Sequence, residues 1–292
     1  MKAYQSNAKL KEEDVENLKE WLIKQYHLPA ISEKKMIMFL HACDYMMEAT
    51  KRTIDSHYTI KTQFPELWSD MDPMLPELQR AMQVMQCAQM PSRDARGHLV
   101  LVMRLSDADA SRYSHVEVAK TQVMLMELVL WLHGPFCPGL VVVVDEKLST
   151  FGHAARTSMS ALRKHFTFLK EGFPGKIVGF HVINCVSIAE KVVSLIKPFV
   201  KIDLLDKLKF HRGGLDSLYK YIPQEILPFE YGGNAGSFED LHKKTMEVMM
   251  QHRDWFLEEE KLRVDESKRT SMDKNSKTKS VISGSFKKLD ID

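Results

Sequence analysis

Three titratable side chains lie where an α/β enzyme would need them. Asp145 ends the apolar run 140–144, His153 follows shortly after it, and His181 lies in the next apolar run. A carboxylate at the C-terminal end of a strand, with an imidazole nearby, could perform general acid-base catalysis. An aspartate at a strand end also commonly caps the following turn, and a histidine in an apolar strand is commonly a hydrogen-bonded core residue. The residues alone therefore leave a catalytic and a structural role open.

The motifs that would support such a catalyst are absent from the sequence. There is no GxSxG, GxxxxGK[ST], GxGxxG or HExxH segment, so no nucleophile elbow, phosphate loop or zinc-protease helix is indicated. Four cysteines are scattered singly along the chain: Cys43, Cys87, Cys137 and Cys185. This spacing predicts free thiols in a reducing compartment. We therefore expect a protein that is not an enzyme and that holds no metal and no organic cofactor.

Composition narrows the class of protein further. A net charge of +2 gives no support for nucleic-acid binding. The N-terminal residues lack the apolar segment of a signal peptide. The longest apolar stretches, residues 123–132 and 139–144, are too short to span a membrane, and the first contains Glu127. We expect a cytoplasmic protein with reversible peripheral membrane association.

Two kinds of hydrophobic periodicity divide the chain. Residues 9–85 are predicted to be helices and their connections, because apolar residues recur at three- and four-residue spacings. Beyond that unit, strands are predicted over residues 99–105, 140–144, 177–184 and 208–211, and helices over residues 116–132, 154–173, 187–199 and 238–262. Strands separated by helices require crossover connections, which predicts an α/β fold with a mainly parallel sheet.

Residues 176–199 join a predicted central strand to an interrupted helix. The first half is apolar and rich in β-branched and aromatic residues, as in a strand covered on both faces. The second half changes to helical spacing, and Pro198 lies near its end, where it would kink or end the helix. This arrangement predicts a pocket floor followed by a movable wall.

Apolar residues exceed what the predicted elements need for ordinary packing. Residues 121–132 are apolar almost all round, and aromatic side chains recur on the elements that should face them. In a plain α/β core, this excess packs against itself. In a closed cavity, burying roughly 400 Å² of lipid surface would contribute about 10 kcal/mol before ordering costs are subtracted.

Several motifs together resemble the CRAL-TRIO lipid-binding family, particularly its α-tocopherol transfer protein-like and cellular retinaldehyde-binding protein-like members. In chain order they are Phe39-Leu-His-Ala-Cys-Asp-Tyr, Val142-Val-Val-Asp145, Phe180-His-Val-Ile-Asn184, Ile196-Lys-Pro-Phe199 and Ile226-Leu-Pro-Phe-Glu-Tyr-Gly-Gly233. The resemblance implies an N-terminal helical domain over residues 1–85, a lipid-binding domain over residues 86–235 and a C-terminal helix over residues 236–265. Residues 266–292 are serine-rich and basic, and we expect them to be disordered.

The resemblance also implies a ligand site and a gate helix near residues 186–208. The implied pocket wall comprises Gln122, Val123, Met126, Phe151, His165, Phe168, Leu169, Phe173, Ile177 and Phe180. The implied apolar face of the gate comprises Ile196, Phe199, Val200 and Leu204. Gln122 is the expected polar contact to the head group of the ligand.

A basic membrane-binding cluster is only partly present. The expected lysines are Lys176, Lys197, Lys201, Lys207 and Lys209. Val178 and Asp203 occupy two positions where the family carries basic residues that receive phosphoinositide phosphates, and Asp203 would repel a phosphate. We therefore expect a general attraction to anionic membranes rather than phosphoinositide-coupled release.

The sequence as a whole favours a protein that binds a single hydrophobic small molecule, such as a tocopherol, retinoid or carotenoid, and transfers it between membranes by opening the gate helix. A first alternative is a lipid-regulated interaction or trafficking protein whose C-terminal tail contacts a protein partner. A second alternative is an α/β hydrolase-like enzyme that uses Asp145 and His153.

Overall fold

Five helices form an N-terminal helical unit in the computed structural model, which describes residues 9–184 and 206–269. They are α1 (Glu12–Ile23), α2 (Glu33–Ala42), α3 (Met47–Gln63), α4 (Pro65–Trp68) and α5 (Pro76–Val84). The hydroxyl of Ser32 caps α2 by accepting a hydrogen bond from the backbone N–H of Lys35. Pro65 starts α4 directly after α3 ends, because proline fits a first helical turn but lacks the N–H that a helix interior requires.

A single sheet follows, with its five described strands in chain order. They are β1 (Met85–Gln89), β2 (Leu99–Leu105), β3 (Leu140–Asp145), β4 (Ile177–Ile183) and β5 (Leu208–His211). The pairs from β2 to β5 are parallel and β1 is antiparallel to β2, so the predicted α/β fold with a mainly parallel sheet is confirmed. Strand β1 was not predicted, because its residues lack the β-branched side chains that favour strands. Pairing with β2 outweighs that weak propensity.

The first crossover helix agrees with the prediction to within one residue at each end, and the second is divided in two. Helix α6 (His115–His133) joins β2 to β3, and α7 (Phe151–Ala155) and α8 (Met159–Glu171) join β3 to β4. The helix predicted over residues 154–173 is broken because Ser158 caps α8, accepting the backbone N–H of Ala161. The remaining helices are α9 (Leu215–Tyr219), α10 (Phe238–Gln251) and α11 (Arg253–Lys261). The last two are one helix in the prediction, and they are separated at His252.

The two faces of the sheet have different partners. On one face, α6, α8 and the N-terminal unit share a continuous core, in which the Phe168 ring lies 4.9 Å from that of Trp68. On the other face, Val141 and Val143 pack in a second core that includes Leu227, Tyr231 and other residues from α9 to α10. The first face is the one that encloses a cavity.

Polar contacts tie the N-terminal unit to the crossover helices. The ammonium of Lys61 in α3 lies 3.3 Å from the carboxylate of Glu127 in α6, and both side chains are buried. His57 Nδ1 donates to the carbonyl of Gly172 at the end of α8. The neutral imidazole of His57 is maintained by burial, which lowers its pKa well below the ordinary value. The helical unit and the sheet therefore meet across a buried, partly charged interface.

The predicted disorder of residues 266–292 is wrong at its start. Glu266–Lys268 forms a 3-10 turn, and the guanidinium of Arg269 binds the Asp55 carboxylate at 2.9 Å and the Thr59 hydroxyl at 2.9 Å. Just before it, Val264 packs in the core of the N-terminal unit. An apolar anchor followed by a buried ion pair thus fixes this segment, which hydropathy alone does not reveal. Residues 270–292 lie outside the described part of the chain.

Candidate functional site

A cavity of about 240 Å³ lies between the sheet and helices α6, α7 and α8. Apolar residues of the sheet and of all three helices line this cavity. The sheet contributes Met103, Leu105, Val142, Val144, Ile177, Phe180, Val182, Leu208 and Phe210, and the helices contribute Val118, Met126, Ala154, Leu162, Phe166 and Leu169. A mainly apolar enclosure of this kind favours a hydrophobic ligand over water.

Helical spacing positions the wall that α6 provides. His115, Val118, Gln122 and Met126 follow one another at intervals of three or four residues, so their side chains share one face of the helix. Val123 is 1% exposed and packs in the core rather than in the cavity lining. The remaining faces of α6 are also buried, in a core shared with the N-terminal unit and with α10 and α11, which explains why the helix is apolar almost all round.

The wall from α8 follows the same rule. Leu162, His165, Phe166 and Leu169 line the cavity. Phe168 lies on another face, against Trp68 and His57 of the N-terminal unit. One helix thus serves both the cavity and the interface with the helical unit.

A β-bulge positions the floor that β4 provides. Leu140 of β3 is opposite Ile177, but Val141 is opposite Gly179, so β4 carries one extra residue at this point. Ile177 and Phe180 are three residues apart and would face opposite sides of a regular strand. The extra residue lets both of them, and then Val182, line the cavity.

The polar part of the lining includes three histidines, His115, His153 and His165, defined here as the histidine cluster. Burial lowers the pKa of His115 to about 4 and that of His165 to about 3, and the positive charge of a protonated His115 adds to the effect on His165. Burial also lowers the pKa of His153. All three imidazoles are therefore neutral near pH 7.

Of the ten pocket-wall residues implied by the resemblance, six line the cavity. They are Gln122, Met126, His165, Leu169, Ile177 and Phe180. Four others do not, since Val123, Phe168 and Phe173 pack in the main core and the Phe151 side chain is 77% exposed. That the six contact a ligand remains a prediction. The four at the gate, Ile196, Phe199, Val200 and Leu204, lie outside the described residues.

Most other lining residues were not predicted, although helical spacing or strand alternation in the sequence indicates several of them. Extending the Gln122 face of α6 backwards by helical spacing reaches Val118 and His115. Strand alternation from Val142 reaches Val144 and then Glu146. His153 and the short helix α7 carry no such signal, because their position depends on the break at Ser158.

The lysines expected at a membrane are divided between the described and undescribed parts of the chain. Lys176 forms an ion pair with Asp44 of the N-terminal unit. Lys209 lies over the ring of Tyr221, with its nitrogen 5.6 Å from the ring centre. Lys207 is half-buried directly before β5. Lys197 and Lys201 lie outside the described residues, as does Asp203, so the expected cluster remains a prediction.

Asp145 occupies a structural position rather than the cavity. Its carboxylate accepts hydrogen bonds from the Tyr231 hydroxyl at 2.9 Å, the Asn184 amide at 2.8 Å and the backbone N–H of Lys147 at 2.9 Å. His153 lines the cavity, whereas Asp145 is not among the lining residues. The geometry thus favours the capping role that the sequence left open for Asp145.

His181 also has a structural partner. Its ring stacks on His211, with Nδ1 of His181 2.9 Å from Nε2 of His211, and Ser217 lies 2.9 Å from the other nitrogen of His211. Within residues 9–184 and 206–269, no cluster of three or more His, Cys, Asp or Glu side chains could hold a metal ion. None of the helices described here is both long and apolar enough to cross a membrane.

Comparisons with known proteins agree with this geometry. The model of the CRAL/TRIO domain matches residues 83–233, just over half of the chain. A model described as a Pinta-like UBA domain matches residues 7–78. The crystal structure of Sfh5 superposes with a TM-score of 0.50 at 15% identity, covering 79% of this chain and 78% of that one, which is a likeness of fold.

Two groups of relatives share a larger identity. The mouse Alpha-tocopherol transfer protein-like protein is 25% identical over 228 residues, which are 77% of this chain and 66% of the relative. Clavesin-2 of the rat is 24% identical over 198 residues, which are 68% of this chain and 61% of the relative. The chain therefore spans less than two thirds of the length of these relatives. The domain match, the sheet order and the enclosed cavity together confirm the resemblance: this chain belongs to the CRAL/TRIO domain family.

Proposed function

We propose that this protein binds a single hydrophobic small molecule between the sheet and helices α6 to α8 and carries it between membranes. The observation that supports the proposal is the mainly apolar cavity of about 240 Å³ inside a CRAL/TRIO domain. The name of the mouse relative adds tocopherol as a candidate ligand class. Retinoids and carotenoids satisfy the same demand for apolar volume. In this proposal the protein is cytoplasmic and touches membranes only transiently.

The ligand can be identified from the native protein. The protein is purified from its own cells, examined by native mass spectrometry and then extracted with organic solvent for lipid analysis. One bound lipid per chain is expected. Replacing Met126, which is buried and lines the cavity, with Trp should reduce lipid occupancy by filling volume, while Leu132→Trp on the exposed end of the same helix should not. Equal lipid content in both variants would contradict the cavity assignment.

We further propose that release depends on residues 186–208 acting as a gate. The apolar residues Ile196, Phe199, Val200 and Leu204 would contact the membrane in the open state, because a bilayer interface favours apolar surface that water disfavours. Replacing Phe199 and Leu204 with Asp should slow lipid transfer between vesicles at least tenfold without lowering the stability of the fold. Unchanged transfer rates would contradict the gate.

The match of residues 7–78 to a Pinta-like UBA domain favours one alternative, a lipid-regulated interaction protein. In this case the N-terminal unit or the basic C-terminal tail would bind a protein partner when lipid is bound. Deleting residues 270–292 tests the form of this alternative in which the tail binds the partner. Lipid transfer that survives the deletion supports a carrier, and loss of transfer with lipid binding retained supports a partner that acts through the tail. The cut must follow Arg269, since Arg269 is bound to Asp55.

A further inference from the structure

The histidine cluster carries three buried nitrogen atoms that form no hydrogen bond within residues 9–184 and 206–269. His115, His153 and His165 are each 8% exposed or less, and all three line the cavity. Across the described residues, His115 Nδ1, His153 Nε2 and His165 Nε2 find no hydrogen-bond partner. Buried polar atoms in folded proteins are almost always paired, because an unpaired one has lost its bonds to water without replacement. Three such atoms beside one cavity indicate a partner that comes from outside the chain.

Three different elements bring these rings together. His115 starts α6, His153 lies in α7 and His165 lies in α8. The Tyr113 ring bridges two of them, lying 5.2 Å from His153 and 6.5 Å from His115. His115 is close enough to His165 for its charge to affect the protonation of His165. The cluster is therefore one site in the cavity wall.

The hydrogen bonds of His153 determine the kind of partner that it needs. Its Nδ1 accepts the backbone N–H of Thr150 at 3.2 Å, and the Thr150 hydroxyl lies 2.9 Å from the same atom. A neutral imidazole that accepts at Nδ1 carries its hydrogen on Nε2. The unpaired atom of His153 is thus a donor, and it requires an acceptor such as an oxygen atom.

The surrounding charges argue against an acidic partner. Because the three imidazoles are neutral near pH 7, they give a carboxylate no opposite charge. Glu146 lines the same cavity, and burial raises its pKa, with the neighbouring Asp145 carboxylate adding to the effect. A ligand carboxylate would therefore be desolvated in a cavity that already holds a carboxyl group. A hydrocarbon without oxygen would leave the His153 donor unpaired.

We propose that the histidine cluster binds the head group of the carried lipid and that this head group is a neutral oxygen function, a hydroxyl or a carbonyl, which accepts a hydrogen bond from His153 Nε2. The inference rests on the proposed lipid-carrying function and narrows its ligand class. It also assigns the polar contact to His153, in addition to Gln122, the single anchor expected from the sequence.

A matched ligand series tests the proposal on the intact wild-type protein. The probes share one apolar chain and differ in head group: retinol, retinal, retinoic acid and the parent hydrocarbon axerophthene, with hexadecanol, palmitic acid and hexadecane as a second set. Binding is measured at pH 7.4 as the fraction extracted from phosphatidylcholine vesicles, corrected for partition into the bilayer. The alcohol and aldehyde should bind about tenfold more tightly than the acid or the hydrocarbon, since one hydrogen bond to a buried donor has about this effect.

Paired substitutions at one position then test the donor itself. His153→Leu removes the donor, whereas His153→Gln keeps an N–H group in a side chain of similar length. The tenfold preference for the alcohol should disappear in His153→Leu, return at least in part in His153→Gln, and persist in His133→Phe on the exposed end of α6. Circular dichroism checks that each variant is folded. If His153→Leu does not fold, the wild-type series still decides the proposal.

The outcomes separate this proposal from the function on which it rests. Equal binding of all head groups, or an unchanged preference in a folded His153→Leu variant, would overturn the role of the histidine cluster while lipid carriage stands. If neither set binds, the head group of the lipid extracted from the native protein decides: a neutral oxygen function supports the proposal, and an acid or a hydrocarbon overturns it. If neither set binds and the native protein contains no lipid, the proposed function itself is wrong.

Discussion

At the scale of single residues, the buried pair of Lys61 and Glu127 links the N-terminal unit to α6. The Lys61 side chain is 2% exposed and that of Glu127 is 9% exposed, and their charged atoms are 3.3 Å apart. Each charge has been taken out of water, and its partner compensates for that loss. Glu127 also faces His57, whose Nε2 lies 3.7 Å from its carboxylate. Removing one partner should therefore cost more stability than the attraction between the two charges contributes.

Removing one partner should destabilise the fold more than removing both. Lys61→Met leaves Glu127 charged and buried without its cation, which should lower the free energy of unfolding by about 3–5 kcal/mol. The double variant Lys61→Met with Glu127→Leu should regain most of that loss, because neither charge of the pair remains. Urea unfolding at pH 7 measures both. The exposed pair of Lys51 and Glu48 provides the control, since its removal should change stability by less than about 1 kcal/mol.

The buried histidines of the cavity predict a loss of stability in mild acid. The pKa of His115 is about 4 and that of His165 about 3 in the folded protein, against about 6.5 in the unfolded chain. Below pH 6.5 the unfolded state binds more protons, so stability falls with pH until the folded pKa values are reached. Each histidine should contribute a loss of about 2 kcal/mol between pH 7 and pH 5.

Substitution of one histidine isolates this effect. His165→Phe removes one of the titrating groups, so its free energy of unfolding should fall less between pH 7 and pH 5 than that of the wild type. The comparison uses urea unfolding of ligand-free protein at both pH values. A pH dependence identical to that of the wild type would show that His165 is not held neutral by burial.

At the scale of secondary-structure elements, residues 262–269 connect the end of the chain back to the N-terminal unit. The backbone N–H of Val264 donates to the Thr62 hydroxyl, that of Asp265 donates to the carbonyl of His27, and Arg269 binds Asp55. None of the residues that make these contacts is among those that line the cavity. The segment thus contributes to stability rather than to ligand binding.

Two truncations separate the fixed part of this segment from the rest of the tail. Ending the chain after Asp265 removes the contacts of Arg269 with Asp55 and Thr59, and should lower the free energy of unfolding by about 2–3 kcal/mol, because hydrogen bonds to charged groups are the stronger kind. Ending it after Arg269 should leave stability within about 0.5 kcal/mol of the full chain. Equal stability of the two truncated proteins would contradict this assignment. Arg269→Ala in the full chain provides an independent check.

Elements with strong periodicity were predicted well from the sequence, and elements that depend on tertiary pairing were not. The helix at 116–132 and the strand at 140–144 differ from α6 and β3 by one residue at each changed end, because uniform apolar spacing determines them. Strand β1 forms only through its ladder with β2, and the bulge in β4 arises from its register with β3. Neither feature leaves a periodic signal in the chain.

The same distinction applies to the cavity. The resemblance implied that Met126 and Ile177 belong to the pocket wall, and both line the cavity, Ile177 because of the bulge. The resemblance implied that Phe151 belongs to the pocket wall, but Phe151 starts the separate helix α7 and its side chain is mostly exposed. The histidine cluster was not predicted as a unit, because three separate elements bring its members together.

At the scale of the whole molecule, the boundary between the helical unit and the sheet domain does not divide the hydrophobic core. One contiguous core contains Met38, Ile60 and Trp68 from the N-terminal helices together with Val129, Phe168 and other residues of the crossover helices. The two regions match different family models, at residues 7–78 and 83–233. The two regions that match separate family models therefore share one hydrophobic core in this protein.

A shared core predicts that the sheet domain does not fold without the N-terminal unit. A fragment of residues 83–269 would expose the face of Phe168 that contacts Trp68, and it would leave Glu127 without Lys61. Its exposed apolar face should cause aggregation, whereas the longer fragment of residues 9–269 should unfold in a single cooperative transition. Size-exclusion chromatography and urea unfolding of the two fragments measure this. A monomeric 83–269 fragment with a cooperative transition would show that the core is divisible and that the N-terminal unit is free to serve another role.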